Sequence, residues 1–230
     1  MKKYGLSGNA LKFIALITMT VDHIGYILFP SVLWLRIVGR LAMPIYAFLI
    51  AEGCRHTKNM AKYFATMVIT ALFCQVVSFL ATGSLYQCIL VTFSLSIGIF
   101  WLFSYGRTKS LPVQVGLLFL GLAVAFFLTE LLPLLLPGTD YGVDYGIHGV
   151  VLPLAFLVGQ KLHRRLLWGS LVLLLYCLSA GTIQYFCLLA LPLLALYNGQ
   201  RGKWKLKQFF YLYYPAHLGI LHLLHTALFA

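Results

Sequence analysis

Residues 11 to 57 read LKFIALITMTVDHIGYILFPSVLWLRIVGRLAMPIYAFLIAEGCRHT, and the rest of the chain follows from how this stretch is read. Two apolar runs meet at Phe29-Pro30-Ser31, the signature of a helical hairpin, yet they carry Asp22, His23, Arg36, Arg40, Glu52, Arg55 and His56. Ionisable side chains in apolar helices of membrane length are costly. They therefore face the bundle interior and mark a reaction centre or a permeation path. Folding the hairpin about Ser31 brings residue 22 level with residue 40, about 12 Å below the turn at about 1.5 Å rise per residue. Arg36 and Arg40 share a helix face, so one can neutralise Asp22 while the other stays available to an anionic group. The plain alternative is a structural ion pair that locks the hairpin. His23 points to a neighbouring face; its imidazole suits a general base, the plain alternative being a hydrogen-bonded core histidine.

Working outward, the composition is 61% hydrophobic and 10% charged over 230 residues. That is too apolar for a soluble domain. Apolar segments fall at roughly 11–30, 33–53, 60–82, 86–105, 112–132, 146–160, 166–180, 183–198 and 208–228, each of spanning or near-spanning length. The chain is thus expected to be an all-α, polytopic membrane helix bundle of about nine transmembrane helices, forming one domain over residues 1–230. The net charge of +12 would suggest nucleic acid in a soluble protein, but its distribution points elsewhere. Apart from Arg36 and Arg40, every one of the 17 Lys and Arg residues falls on segments that lie inside if the amino terminus is inside. Cytoplasmic loops carry this excess, so the topology is N-in/C-out with no nucleic-acid partner. Glu130, Asp140 and Asp144 fall at or near the outer side. The first apolar segment lacks a small-residue cleavage site and is expected to be a retained helix. Cys54, Cys74, Cys88, Cys177 and Cys187 have neither metal-ligand spacing nor even number, so they read as packing residues, with no metal.

Three further places carry chemistry-bearing groups. AEGCRHTKN at 51–59 sets Glu52 on one helix face with Arg55 and His56, beside Lys58, and Gly53 permits close approach of a ligand or a neighbouring helix. This group could hold a nucleotide phosphate or ribose. The plain alternative is a Glu52–Arg55 pair at a helix end. PGTDYGVDYGIHGVV at 137–151 is a turn-rich loop offering Asp144, Tyr145 and His148 where the next helix begins, suited to a cationic or amine-bearing acceptor; Asp140 and Asp144 also suit a helix cap and a solvated turn. In the last helix, Pro215 is expected to kink the backbone, with His217 two residues on. Tyr211, Tyr213 and Tyr214 suit an aromatic belt near the inner face, and Tyr214, next to the kink, could instead line a site.

The blocks LKFIALITMTVDHIG (11–25), LRIVGRLAMPIYAFLIAEGCRHT (35–57), TFSLSIGIFWL (92–102), DYGVDYGIHGV (140–150) and FFYLYYPAHLGIL (209–221) resemble the TraX family of integral membrane proteins. The resemblance implies a multi-pass protein of the bacterial cytoplasmic membrane that transfers an acetyl group from cytosolic acetyl-CoA. The family is named for the conjugative-plasmid protein that acetylates the N-terminus of F-type pilin, so the implied acceptor is a pilin amine; a glycan, lipid or small molecule would use the same parts. In that mechanism His23 is the base or transient acetyl carrier, Asp22 orients it, Arg36 or Arg40 stabilises the thioester oxyanion, and His217 is the reserve base, with His148 on the acceptor side. Arg55, with Glu52, His56 and Lys58, would meet the acetyl-CoA phosphates. Two readings compete: a proton-coupled transporter using Asp22, His23 and His217, and a non-catalytic assembly factor. No internal repeat favours the transporter.

Overall fold

Short polar and glycine-bearing joints cut the apolar runs into helices. In the computed structural model, which describes residues 4–204 and 207–229, Ser7 opens α1 (Gly8–Ile27) by accepting a hydrogen bond from the Ala10 N–H at 3.2 Å, an ordinary N-cap. The hairpin's second arm is divided. α2 (Leu33–Gly39) stops at Arg40, and α3 (Ala42–His56) begins two residues later. The cause is Pro44, which has no N–H for the Arg40 carbonyl and whose ring crowds that carbonyl. The single helix expected over 33–53 is corrected accordingly. Asn59 caps α4 (Met60–Thr82) through Lys62 N–H at 2.8 Å, and Gly83 ends it at φ 70°, a left-handed position that favours glycine.

α5 (Ile89–Gly106) follows, then α6 (Leu111–Phe126), which runs through a π-helical turn at Phe127–Leu131 into α7 (Leu132–Leu135). After the outer-loop motif come α8 (Gly146–Ala155), α9 (Leu162–Ala180), a 3₁₀ segment (Thr182–Leu189) continued by α10 (Ala190–Ala195), and α11 (Lys207–Phe229), which passes through Pro215. Each expected segment contains helix, but the one expected over 146–160 ends at Ala155 and that over 183–198 is largely 3₁₀ and ends at Ala195; the described residues contain no strand. Five stretches, 8–27, 33–56, 60–82, 89–106 and 111–135, are long and apolar enough to cross a membrane among the described residues. Lys2, Lys3 and Lys205, used in the topology argument, and the side chains of Lys207 and Tyr211 lie outside the described set.

The chain divides into two compact units, residues 1–49 with 155–230, and residues 50–154. In the first, Phe48 is fully buried and meets Phe156 and Tyr197 edge-on, at 5.4 and 5.3 Å between ring centroids. The buried Arg165 donates from Nε to the Phe156 carbonyl at 2.8 Å and lies 4.7 Å over the Phe48 ring, so ring and carbonyl both compensate its charge. In the second unit, buried hydroxyls of α5 anchor the short α8. Ser96 donates to the Val150 carbonyl and Thr92 to the Asp144 carbonyl, both at 2.7 Å. Glu130, on the π-helical turn, accepts the Ile147 N–H at 2.9 Å. Tyr145 sits at φ 62° just ahead of α8, a conformation non-glycine residues rarely hold without support.

Candidate functional site

α1 and α2 pack closely because two glycines face the opposing helix. A Cβ on Gly25 would meet the Leu35 Cβ at 2.6 Å, and one on Gly39 would overlap the Asp22 carboxylate itself. The approach lets Asp22, 8% exposed, receive two guanidiniums. Arg40 Nη2 donates to Oδ1 and Oδ2 at 2.6 and 2.7 Å, and Arg36 Nη1 donates to Oδ2 at 2.7 Å and to the Asp22 carbonyl at 3.2 Å. Arg40, 5% exposed, also donates from Nε to the Arg36 carbonyl at 3.2 Å and from Nη1 to Gln184 Oε1 at 3.4 Å. The level placement of residues 22 and 40 is therefore found. The expectation that one arginine stands apart from Asp22 is corrected, since both hold it. One carboxylate between two guanidiniums leaves the cluster with an excess of positive charge in an apolar setting.

His23, next to Asp22 in sequence, turns away from it. Its Nδ1 lies 2.8 Å from Nε2 of His217 on α11, while His217 Nδ1 lies 3.0 Å from the Tyr213 carbonyl oxygen. A carbonyl can only accept, so with both rings neutral the protons are assigned by elimination. His217 Nδ1 carries a proton to Tyr213, its Nε2 accepts, and His23 Nδ1 donates. That leaves the lone pair on His23 Nε2, which no described residue engages. The expectation that Asp22 orients His23 is thus corrected: His217 does so.

Tyr213 braces the pair. Its ring stacks on His217 at 5.2 Å between centroids and 11° between planes. Its hydroxyl lies 2.8 Å from Thr20 Oγ1, whose own proton goes to the Leu16 carbonyl at 2.8 Å, so the phenol donates. Tyr214 meets both imidazoles edge-on, at 6.2 and 5.4 Å. Tyr214 thus lies at the site, as its place beside the kink suggests, and Tyr213 joins it.

Gln184, from the 3₁₀ segment, is a member that sequence reasoning missed; its amide is oriented by Arg40, which can bond only the oxygen. The remaining expected residues belong to the second unit. Glu52, 8% exposed, pairs with His56 at 3.5 Å; the His56 side chain is 71% exposed. Gly53 makes room for the Tyr63 phenol of α4, a neighbouring helix. Arg55 is half-buried, Lys58 exposed, and His148 half-buried in the first turn of α8. Outside the spanning segments, the Ser84 hydroxyl and then the Leu85 N–H hold the Asp140 carboxyl below its usual range; Glu130 accepts the Ile147 N–H at the start of α8. Among the described residues no group of three or more His, Cys, Asp or Glu could hold a metal ion.

A family model described as TraX protein matches residues 7–225. A probable fimbrial assembly protein, FimC of serogroup H1, from Dichelobacter nodosus is 27% identical over 242 residues, covering 94% of each chain. An uncharacterised protein of Rickettsia prowazekii (strain Madrid E) is 50% identical over 40 residues, which is 17% of this chain and 16% of that one. No solved structure matches.

Proposed function

Since the chain belongs to the TraX family, we propose that it is a membrane-embedded acetyltransferase that moves an acetyl group from cytosolic acetyl-CoA to an acceptor at or across the bacterial cytoplasmic membrane. The observation that carries this reading is the hydrogen-bonded line Tyr213 carbonyl, His217, His23, which leaves His23 Nε2 a fixed proton acceptor. In direct transfer, an acceptor amine or hydroxyl attacks the thioester carbon and gives its proton to His23 Nε2. Negative charge develops on the thioester oxygen beside the positive Asp22–Arg36–Arg40 cluster, which stabilises it. Collapse breaks the carbon–sulfur bond, and the departing thiolate takes the proton back from His23 to give free CoA. An acetyl-histidine route would use the same nitrogen as nucleophile.

The topology of this reading has nine crossings, with the amino terminus inside and the carboxyl terminus outside. The short elements suit it in part: the 3₁₀ rise of about 2 Å per residue lengthens the 182–195 stretch to about 25 Å. Acetyl-CoA enters from the inner face, its phosphates near Arg55, with Glu52, His56 and Lys58 around it; His148 serves the acceptor side. A pilin amine is the acceptor that the family and the fimbrial assembly relative support best.

The test is mass spectrometry of purified protein incubated with isotopically labelled acetyl-CoA, with His23→Ala beside it. Label on the protein or on an added pilin peptide, lost in the variant, is the expected result. The continuous histidine line also favours a proton-coupled transporter, whereas an assembly factor needs no chemistry. Acetyl-CoA should raise the melting temperature only if the enzyme reading holds; no stabilisation and no turnover in folded protein would sink it.

A further inference from the structure

Arg36 is held by three neighbours on one face of α1. Its stem crosses Gly25, where a Cβ would lie 3.5 Å from Arg36 Cδ. Its Nη1 is tethered to the Asp22 carboxylate and carbonyl. Its guanidinium carbon lies 4.9 Å over the Tyr26 ring. Positions 22, 25 and 26 thus supply a tether, a gap and a platform at the i, i+3, i+4 spacing of one helix face. The tether uses only Nη1, so the N–H groups on Nε and Nη2 bond no described residue. The side chain is 24% exposed, and Tyr26, the second-last residue of α1, is 67% exposed. Asp22 cannot neutralise both guanidiniums, because its single negative charge is shared between Arg36 and Arg40.

An oriented, charged donor with unengaged N–H groups, in a cluster of net positive charge, is complementary to an oxyanion. The end of α1 beside the turn lies where a spanning helix meets the head-group layer, and there the abundant oxyanion is phosphate. We propose that Arg36 and Tyr26 form a phosphate-binding site at the turn end of the hairpin, filled by a phospholipid head group or by a soluble phosphate ester. This site shares Arg36 with the cluster proposed to stabilise the thioester oxygen, but phosphate binding is read without turnover, so either reading can fail without the other.

The experiment uses the full chain in dodecyl maltoside, which carries no phosphate. The probes are dioleoyl phosphatidylglycerol, followed by native mass spectrometry, and glycerol 1-phosphate, followed by calorimetry. Saturable retention of one lipid is expected, weakened about fivefold by Tyr26→Leu, which removes the ring platform, and more strongly by Arg36→Gln, which leaves Asp22 paired with Arg40. Saturation by glycerol 1-phosphate as well would identify a soluble ester as an occupant; saturation by the lipid alone would identify the head group. If neither probe saturates, or if both variants bind as the parent does, the proposal is overturned. Tyr26 is exposed, so that variant keeps the test sound even if Arg36→Gln folds poorly.

Discussion

His23 Nδ1 donates to His217 Nε2 across 2.8 Å, joining α1 to α11 and fixing which nitrogen of His23 can take a proton. Loss of either ring should be felt differently. His23→Ala removes the base itself and should lower single-turnover acetyl transfer by about 10²–10⁴-fold. His217→Ala leaves the base but frees its ring and tautomer, and should cost about 10-fold or more. Acetyl-CoA binding, read by thermal shift, should survive both. Equal, near-parental rates in the two variants would remove His23 from the mechanism.

Asp22 is a clamp for two arginines, not an orienter of His23. Asp22→Asn should therefore strike the fold before the chemistry, because it leaves two guanidiniums uncompensated, and breaking a buried pair costs about 3–5 kcal/mol. The check is melting in detergent together with yield of monodisperse protein. A variant that melts like the parent yet transfers no acetyl group would restore the orienting role.

The tight crossing of α1 and α2 rests on glycine. Gly39→Ala places a methyl group on the Asp22 carboxylate and should destabilise by about 1–3 kcal/mol or more, as overpacking does. Gly116, on α6, has nothing within 4 Å of its Cβ position, and Gly116→Ala should be neutral or stabilising by up to about 1 kcal/mol, the usual helix gain. Side-by-side thermal melts decide it: similar losses at the two positions would mean that backbone entropy, not contact with Asp22, governs Gly39.

Much of this was legible from residues alone. The helical segments follow from apolar runs bounded by Ser7, Asn59, Gly83 and similar joints, and the pairing of Asp22 with Arg40 follows from counting residues about Ser31. The break at Arg40 was also readable, since Pro44 stands four residues on and denies that carbonyl its partner. The His23–His217 bond joins positions 194 residues apart, and no periodicity links them; only the packing of α11 on α1 brings them together. Gln184 and the Tyr213 stack were hidden for the same reason. The π-helical turn that aims Glu130 at the start of α8 has no compositional mark.

Tyr213 is the most informative remaining position, because its carbonyl and its side chain act separately. The carbonyl sets the His217 tautomer and survives any substitution. The ring stacks on His217, and the hydroxyl is tied to Thr20. Tyr213→Phe keeps the stack and loses only the tether, so transfer should fall by about threefold, the worth of one modest hydrogen bond. Tyr213→Leu loses the stack too and should fall about tenfold further, at the scale of an aromatic pair. Both losses should appear in kcat, with KM for acetyl-CoA unchanged, since the ring acts on the proton acceptor and not on donor binding. A rise in KM at constant kcat would instead assign Tyr213 to the substrate path, and the His23–His217 pair would then stand without its brace.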